Sequence, residues 1–331
     1  MKAAPFGYVR PGTVPGVLAE LAAAEDTDAG AKVLAGGQSL VPVLAMRLGR
    51  PGTLVDINAV SALGTITTEG AMVRIGATVR QRAAQAHSAT AAVPLLRMAL
   101  PWIGHREIRS RGTVCGSIAH ADPAAELPAV ACCLGATMTV ASPRGRREVD
   151  AADFFTAAMT TVLRPDELLE SVAFPVAEPG EGSGFAEAAR RHGDFALAGV
   201  AVRVRAAAAG RPRASVACFG VADRPVARDV SAWVADVLAG LRAGGHAPGD
   251  DATREALHVR FAAAAGEFAA DVVTTPGDVH ASTDYRRRLV RRLVAAELAR
   301  ATARSLAGNP NAGNPNAGNP NAGNPDAGTT R

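Results

Sequence analysis

Apolar and polar positions alternate along the chain in two rhythms: short β-like runs, and alanine-rich stretches with helical spacing. Val14 to Ala24, introduced by Pro11-Gly12-Thr13, reads as an amphipathic helix. Lys32 to Ala35 reads as a short strand entering a Gly36-Gly37 turn, and Val41 to Leu48 as a helix leaving it. Thr53 to Ile57 and Met72 to Ile75 are predicted strands; Thr78 to His87 and Ala91 to Leu100 are predicted helices. A second glycine-punctuated turn, Arg111 to Ser117, leads toward a helix over Pro123 to Leu134. Thr137 to Ala141 and Arg146 to Val149 pair as a hairpin around Pro143-Arg144-Gly145, and Leu168 to Phe174 forms a strand ending at Pro175. Pro179 to Gly184 reads as a linker into a further region. That region has strands near Ala198 to Arg205 and Ala214 to Gly220, then helices near Val230 to Leu241, Arg254 to Ala265 and Tyr285 to Arg304. The pattern is that of an α+β or mixed α/β chain.

Composition narrows the class. The 331 residues suit two or three packed subdomains, and 48% hydrophobic residues suffice for a large core. Only 4% are aromatic, so that core is built mainly from Ala, Val and Leu. No apolar run approaches the ~20 residues that span a bilayer. Met1 to Arg10 lacks the basic-then-apolar order of a secretory signal, so a cytoplasmic location is expected. Cys115, Cys132, Cys133 and Cys218 form neither C-x-x-C nor a Cys/His spacing; reduced, buried thiols are expected, and no metal site. The net charge is +4, but only Lys2 and Lys32 are lysine, and charges of both signs are interspersed. No basic stripe is interleaved with aromatics, so no nucleic-acid partner is expected. The repeats AGNPN-AGNPN-AGNPN-AGNPD from Ala307 cannot repay their ordering entropy, and 305–331 is expected to be a disordered tail.

Two glycine turns carry the candidate chemistry, both expected after short strands. In Ala35-Gly36-Gly37-Gln38-Ser39-Leu40 the glycines let consecutive N–H groups approach phosphate oxygens, and Ser39 adds a hydroxyl. The spacing is neither G-x-G-x-x-G nor a P-loop, and a Gly-Gly pair alone is most often only a turn. Thr113-Val114-Cys115-Gly116-Ser117 is the second, and a pair of such turns suits a ligand with two phosphates. Asp122 and Glu126 follow, able to accept hydrogen bonds from hydroxyls of a sugar or sugar alcohol. Equally, Asp122 caps a helix starting at Pro123 and Glu126 complements its dipole. The seven histidines are scattered, with no H-E-x-x-H and no G-x-S-x-G. That absence favours chemistry belonging to a bound cofactor.

These segments resemble a known family. AGGQSLVPVLAMRLGRPGTLVDIN (Ala35 to Asn58) and IGHREIRSRGTVCGSIAHADPAAELPAV (Ile103 to Val130) resemble the two FAD-pyrophosphate segments of molybdenum hydroxylase flavoprotein subunits. That family includes the medium subunit of aerobic carbon monoxide dehydrogenase and the FAD domain of xanthine dehydrogenase. Pro5 to Pro11, Arg191 to Leu197 and Asp278 to Leu298 extend the resemblance over about residues 1–304. It implies a two-subdomain PCMH-type (vanillyl-alcohol-oxidase-like) FAD-binding fold over 1–178, divided at about 58, and a smaller C-terminal α+β domain over 184–304. By resemblance, Ala35, Gly36, Gly37, Gln38, Ser39 and Leu40 wrap the FAD diphosphate, with Leu34 and Val41 flanking. Thr113, Val114, Cys115, Gly116 and Ser117 form the second half of the cradle. Ile103 and Ile108 line the flavin or adenine, Ala77 and Thr78 belong to a turn near the cofactor, Asp122 and Glu126 supply carboxylates, and Leu169 is an apolar neighbour.

The implied partners are a large molybdenum–pterin subunit and a small 2Fe–2S subunit in an (αβγ)₂ assembly. Electrons pass through FAD to an external quinone, oxygen or NAD⁺. Two departures stand out. Cys115 occupies a position usually held by glycine, which suggests a thiol crowding the pyrophosphate or a redox-sensitive group. A lysine usual after the aromatic at Phe185 is replaced by Ala186-Glu187, leaving Arg190 or Arg191 to supply positive charge. The alternative functions are an assembly subunit that has lost tight FAD binding through Cys115, and a stand-alone flavin oxidase.

Overall fold

The computed structural model describes residues 2–25, 27, 29–206, 211–243 and 251–308. The first sheet is parallel: β1 (Gly7–Val9) and β2 (Ala31–Leu34) flank β3 (Thr53–Asp56), with Gly7 and Ala31 both in register with Thr53. Parallel strands need crossovers. Helix α1 (Val14–Glu25) links β1 to β2, and α2 (Leu40–Ala45) lies between β2 and β3. Val17 and Leu21 of α1 pack with Val55 of β3 in the core.

The second sheet is antiparallel and contains β4 (Ile66–Glu69), β5 (Met72–Gly76), β6 (Thr137–Ser142), β7 (Gly145–Asp150) and β10 (Leu168–Pro175), in the order β4-β5-β10-β6-β7. Between β5 and β6 run five short helices: α3 (Gln81–Ala86), α4 (Pro94–Ala99), α5 (Arg106–Arg111), α6 (Val114–His120) and α7 (Glu126–Leu134). Helix α8 (Ala151–Phe154) and the small hairpin β8 (Phe155–Ala157) with β9 (Thr160–Thr161) lie between β7 and β10. Alternation gives the sheet two characters. Val73, Ile75, Met138, Val172 and Phe174 join the core, while Arg74 bonds Thr139 Oγ1 (2.7 Å) and Ser171 Oγ (3.2 Å) on the polar face.

The third sheet is a meander of β11 (Glu181–Ala188), β12 (Ala198–Arg205), β13 (Arg213–Phe219) and β14 (Val226–Asp229). Val200, Val202, Val204 and Val216 pack under α9 (Ser231–Ala243), α10 (Asp251–Val272) and α11 (Thr283–Leu306). From the same sheet Phe185, Ala201, Ala217 and Phe219 enter the first core, so the sheet joins both. Among the described residues no helix is long and apolar enough to cross a membrane.

The expected linker at Pro179 to Gly184 is overturned: Glu181 onward is a buried strand. Its glycines serve contact rather than flexibility. A Cβ on Gly182 would sit 2.0 Å from the carbonyl oxygen of Ala301 in α11, and one on Gly184 2.8 Å from that of Glu297. Several predicted helices are shorter than their apolar spacing implied: α4 because 3₁₀ turns at 88–92 and 100–102 take its flanks, and α3 because Val79 and Arg80 pair with Val114 and Thr113 of the second glycine turn. Helix α11 continues through Leu306, two residues into the expected tail, while 309–331 lies outside the described residues.

Candidate functional site

The two glycine loops meet backbone to backbone. Ala35 to Ser39 leads from β2 to α2, and Gly37 takes φ +73°, a conformation that L side chains rarely adopt. Gly36 has a different reason to lack a Cβ: that atom would lie 2.3 Å from the carbonyl oxygen of Arg111 and 2.8 Å from Cα of Gly112. The second loop is not preceded by a strand as expected; it joins α5 to α6. Thr113 caps α6 by accepting at Oγ1 from the Gly116 N–H (3.0 Å), and a Cβ on Gly116 would meet that oxygen at 2.5 Å.

Two polar side chains that the sequence reading did not single out lock the loops together. Asn58 donates from Nδ2 to the Ala35 carbonyl (2.8 Å). Arg80 donates to Asn58 Oδ1 (2.6 Å) and to the Arg111 carbonyl (2.5 Å). Asn58 closed the first family-like segment, which was the available signal; Arg80 had none. The Gln81 N–H donates to Gly112 O (2.9 Å) and the Val114 N–H to Val79 O (3.2 Å), so 77–81 brackets the second loop. Among the described residues, no acceptor in the chain takes the N–H groups of Gly36, Gly37, Gln38 or Ser39. Converging unpaired donors are what a diphosphate requires.

The remaining predicted residues divide into neighbours of these loops and core residues. Leu34 is half-buried and Val41 exposed beside Gly37, while Leu40 opens α2. Buried Ala77 donates its N–H to Glu170 O (3.0 Å), next to buried Leu169 on β10, and the Thr78 N–H bonds Leu63 O (3.0 Å). Buried Ile103 and exposed Ile108 flank Gly104, whose φ is +48°. Ser39 is exposed and Ser117 half-buried. The Val114 side chain is wholly buried, leaving only its backbone near the loop. Cys115 also points inward: its thiol donates to the Ile75 carbonyl at 3.4 Å, and burial pushes its pKa up to about 12. It neither crowds the glycine loops nor has the low pKa of a reactive thiol. Asp122 does not cap a helix at Pro123. It accepts from the Ala124 N–H (2.9 Å) in a turn, and α7 begins at Glu126 with Ala125 as its cap.

Beyond the loops lies a charged cluster. Arg109 of α5 donates from Nη1 to the carbonyls of Ile103 and Gly104, both at 2.9 Å. Burial raises the Glu126 carboxyl to about 7, with Asp122 raising it further and Arg109 only partly opposing. Glu187 on β11 is raised to about 9, by burial first and by Glu126 second. Glu187 Oε2 and Arg109 Nε are shielded from solvent and have no hydrogen-bond partner. Arg190 and Arg191, expected to supply charge, are exposed; Arg190 contacts His280 Nδ1 at 3.4 Å. No cluster of metal-ligating side chains occurs among the described residues. Open N–H groups suit phosphates and an unpaired carboxyl oxygen suits hydroxyls, a donor and acceptor set that fits a dinucleotide such as FAD.

Comparison with known proteins agrees with this chemistry. Residues 4–177 match the family described as the FAD binding domain in molybdopterin dehydrogenase. The chain is 35% identical over 307 residues to the 6-hydroxypseudooxynicotine dehydrogenase complex subunit alpha of Paenarthrobacter nicotinovorans, covering 92% of this chain and 97% of that protein. Its fold is similar to that of quinoline 2-oxidoreductase from Pseudomonas putida 86, with a TM-score of 0.79, 33% identity and coverage of 92% of this chain and 100% of the other. Carbon monoxide dehydrogenase from Hydrogenophaga pseudoflava gives a TM-score of 0.77 at 29% identity, covering 92% and 99%. The chain therefore belongs to the FAD-binding medium subunits of the molybdenum hydroxylase family, oxidoreductase components built on the α+β fold seen here.

Proposed function

We propose that the chain is the electron-transfer component of a three-part complex. It takes electrons from the 2Fe–2S clusters of a small subunit, whose partner is a large molybdenum–pterin subunit in an (αβγ)₂ assembly, and passes them to quinone, oxygen or NAD⁺. The FAD-holding part is 1–178, with the smaller domain over 184–304. The names of the relatives, a dehydrogenase complex subunit alpha and a nicotine 6-hydroxylase medium subunit, support the partner reading. Bound FAD supplies the chemistry, accepting electrons singly and releasing them in pairs.

The chain's own residues bind and orient. The N–H groups of Gly36 to Ser39 offer unpaired donors to the diphosphate, and the Asn58–Arg80 pair holds them against the second loop. Preorganised donors of this kind need no rearrangement on binding. Glu126 and Asp122 face the hydroxyl-bearing part, and Ala77, Thr78, Ile103 and Leu169 supply the apolar border. No side chain is required as a catalytic acid or base. The observation that carries this reading is the contact of Gly36 with Arg111 and Gly112, which seats the loop of open N–H groups directly against the second glycine loop. The test is to mix the FAD-loaded chain with its separately purified, reduced iron–sulfur partner. Bleaching of the flavin absorbance, followed by recovery on adding one of the three acceptors, is expected. Flavin absorbance that never changes on mixing would overturn the proposal.

A further inference from the structure

Two polar side chains of the opening segment converge on one carboxylate next to the first glycine loop. Tyr8 of β1 and Arg10 just after it are two residues apart, so they project from the same face of an extended chain, while Val9 between them packs against the core. The Tyr8 hydroxyl donates to Asp56 Oδ2 at 2.5 Å, and Arg10 Nε lies 3.6 Å from the same oxygen. Asp56 is buried and ends β3, the central strand of the parallel sheet, in register with Leu34 of β2. Sheets of this kind hold their ligands at the carboxyl ends of the strands, and Leu34 leads directly into Ala35 and the first glycine loop.

The other carboxylate oxygen acts on Asn58. Asp56 Oδ1 accepts from the Asn58 backbone N–H (2.9 Å) and from its Nδ2 (2.6 Å). Nδ2 also donates to the Ala35 carbonyl (2.8 Å), and Oδ1 of the same amide accepts from Arg80 Nη2 (2.6 Å). Each polar atom of the amide therefore has a partner that fixes its identity. Turned over, the amide would set its oxygen against the Asp56 carboxylate and the Ala35 carbonyl, and its N–H groups against the Arg80 guanidinium. An ionised carboxylate only accepts, so Asp56 admits one orientation of Asn58. That orientation gives Arg80 its acceptor, and Arg80 Nη1 continues to the Arg111 carbonyl, the atom that a Cβ on Gly36 would strike first. The chain Tyr8–Asp56–Asn58–Arg80 thus runs from the edge strand to the place where the two glycine loops touch. Among the described residues the Asp56 side chain has no hydrogen bond to either loop, so it acts through Asn58.

We propose that Asp56 is a positioning residue of the FAD site: anchored from β1 by Tyr8 and Arg10, it selects the Asn58 orientation with which Asn58 and Arg80 hold the open N–H groups of Gly36 to Ser39 against the second glycine loop. The opening segment belongs to the cofactor site through this one carboxylate. This inference rests on the FAD reading above.

The test is titration of the apo chain with FAD, followed by quenching of FAD fluorescence, with a thermal melt of each variant so that binding is measured on folded protein. Asp56→Ala should weaken FAD binding by about tenfold, the size of one hydrogen bond to a charged group, and Asn58→Ala by at least as much. The effect of Asp56 should vanish once its intermediary is gone. The double variant Asp56→Ala, Asn58→Ala should bind FAD within about twofold of Asn58→Ala alone, even where its melting temperature falls further. Asp56→Asn presents an acceptor oxygen in the same place and should recover most of the affinity that Asp56→Ala loses. Where Asp56→Ala does not fold, Tyr8→Phe, which removes an exposed hydroxyl, makes the same comparison: weaker binding in the native background and no further loss in Asn58→Ala. Wild-type affinity in Asp56→Ala, the same loss in both backgrounds, or Asp56→Asn binding no better than Asp56→Ala would overturn the inference while leaving the FAD reading intact. A wild-type chain that binds no FAD would overturn both.

Discussion

Substituting Gly36 by alanine isolates the contact on which the cradle depends. Gly36 has no left-handed φ, so an alanine there costs nothing in backbone conformation, and the whole effect comes from space. The new Cβ would lie 2.3 Å from the Arg111 carbonyl oxygen, whereas ordinary contact begins at 3.4 Å. The loops must therefore part by about 1.1 Å, and the obstacle is backbone rather than a flexible side-chain end. A movement of that size takes a donor out of hydrogen-bond reach of a shared diphosphate. Losing one bond to a charged group costs about 1.5–3 kcal/mol, which is about ten- to a hundredfold in FAD affinity. The assay is quenching of FAD fluorescence on titration with apo chain. Gly12→Ala is the control, since a Cβ there meets nothing within 4 Å. If Gly36→Ala binds FAD as tightly as Gly12→Ala, the two-loop cradle is wrong.

Cys115→Ala should keep FAD affinity within about twofold while lowering stability by roughly 1 kcal/mol for the lost core atom; native-state thiol titration should leave Cys115 unmodified, and rapid labelling or a large loss of FAD affinity would restore the reactive or crowding thiol. Gly182→Ala should lower the urea midpoint by an amount equivalent to at least about 3 kcal/mol, since overpacking here meets backbone in α11; a tolerated alanine would mean β11 is not seated as described. Arg286→Met leaves Asp278 and the carbonyls of Leu197 and Gly220 without their buried partner, at a cost of about 3 kcal/mol in the same unfolding assay. Calorimetric melting across pH should show losses on both sides. Asp166, held below the ordinary carboxylate range by Arg144, and Asp278, by the His280 N–H first, contribute stability that is complete above that range and lost as pH falls through their depressed values. Glu187, raised to about 9, contributes stability complete at low pH and lost as pH rises through that value; Glu187→Gln should flatten the alkaline side only.

Much of the fold was legible because local pattern and tertiary role agreed. Val14 to Ala24 and the hairpin around Pro143-Arg144-Gly145 carry their own signals, and both form within a residue or two of expectation. The glycines of 182–184 misled because glycine serves turns and close packing alike; only α11, more than a hundred residues later, decides which. Asp122 misled for a similar reason, since the same side chain serves a helix cap or a turn, and Pro123 fits both. In the site, the loops were visible as motifs, but the direction of a side chain was not. Cys115 looked like a lesion at the cofactor because its neighbours are cofactor residues, yet the helical twist of α6 turns its thiol to Ile75. Arg80 was unreadable because it gains its meaning from a partner distant in sequence, Arg111.

The most direct test of the central claim is the absorption spectrum of the purified chain before and after adding FAD, and then dithionite. A flavin spectrum that persists through desalting, bleaches on reduction and yields free FAD on denaturation is the predicted result. A chain that stays colourless after incubation with FAD, while melting as a folded protein, would contradict the account.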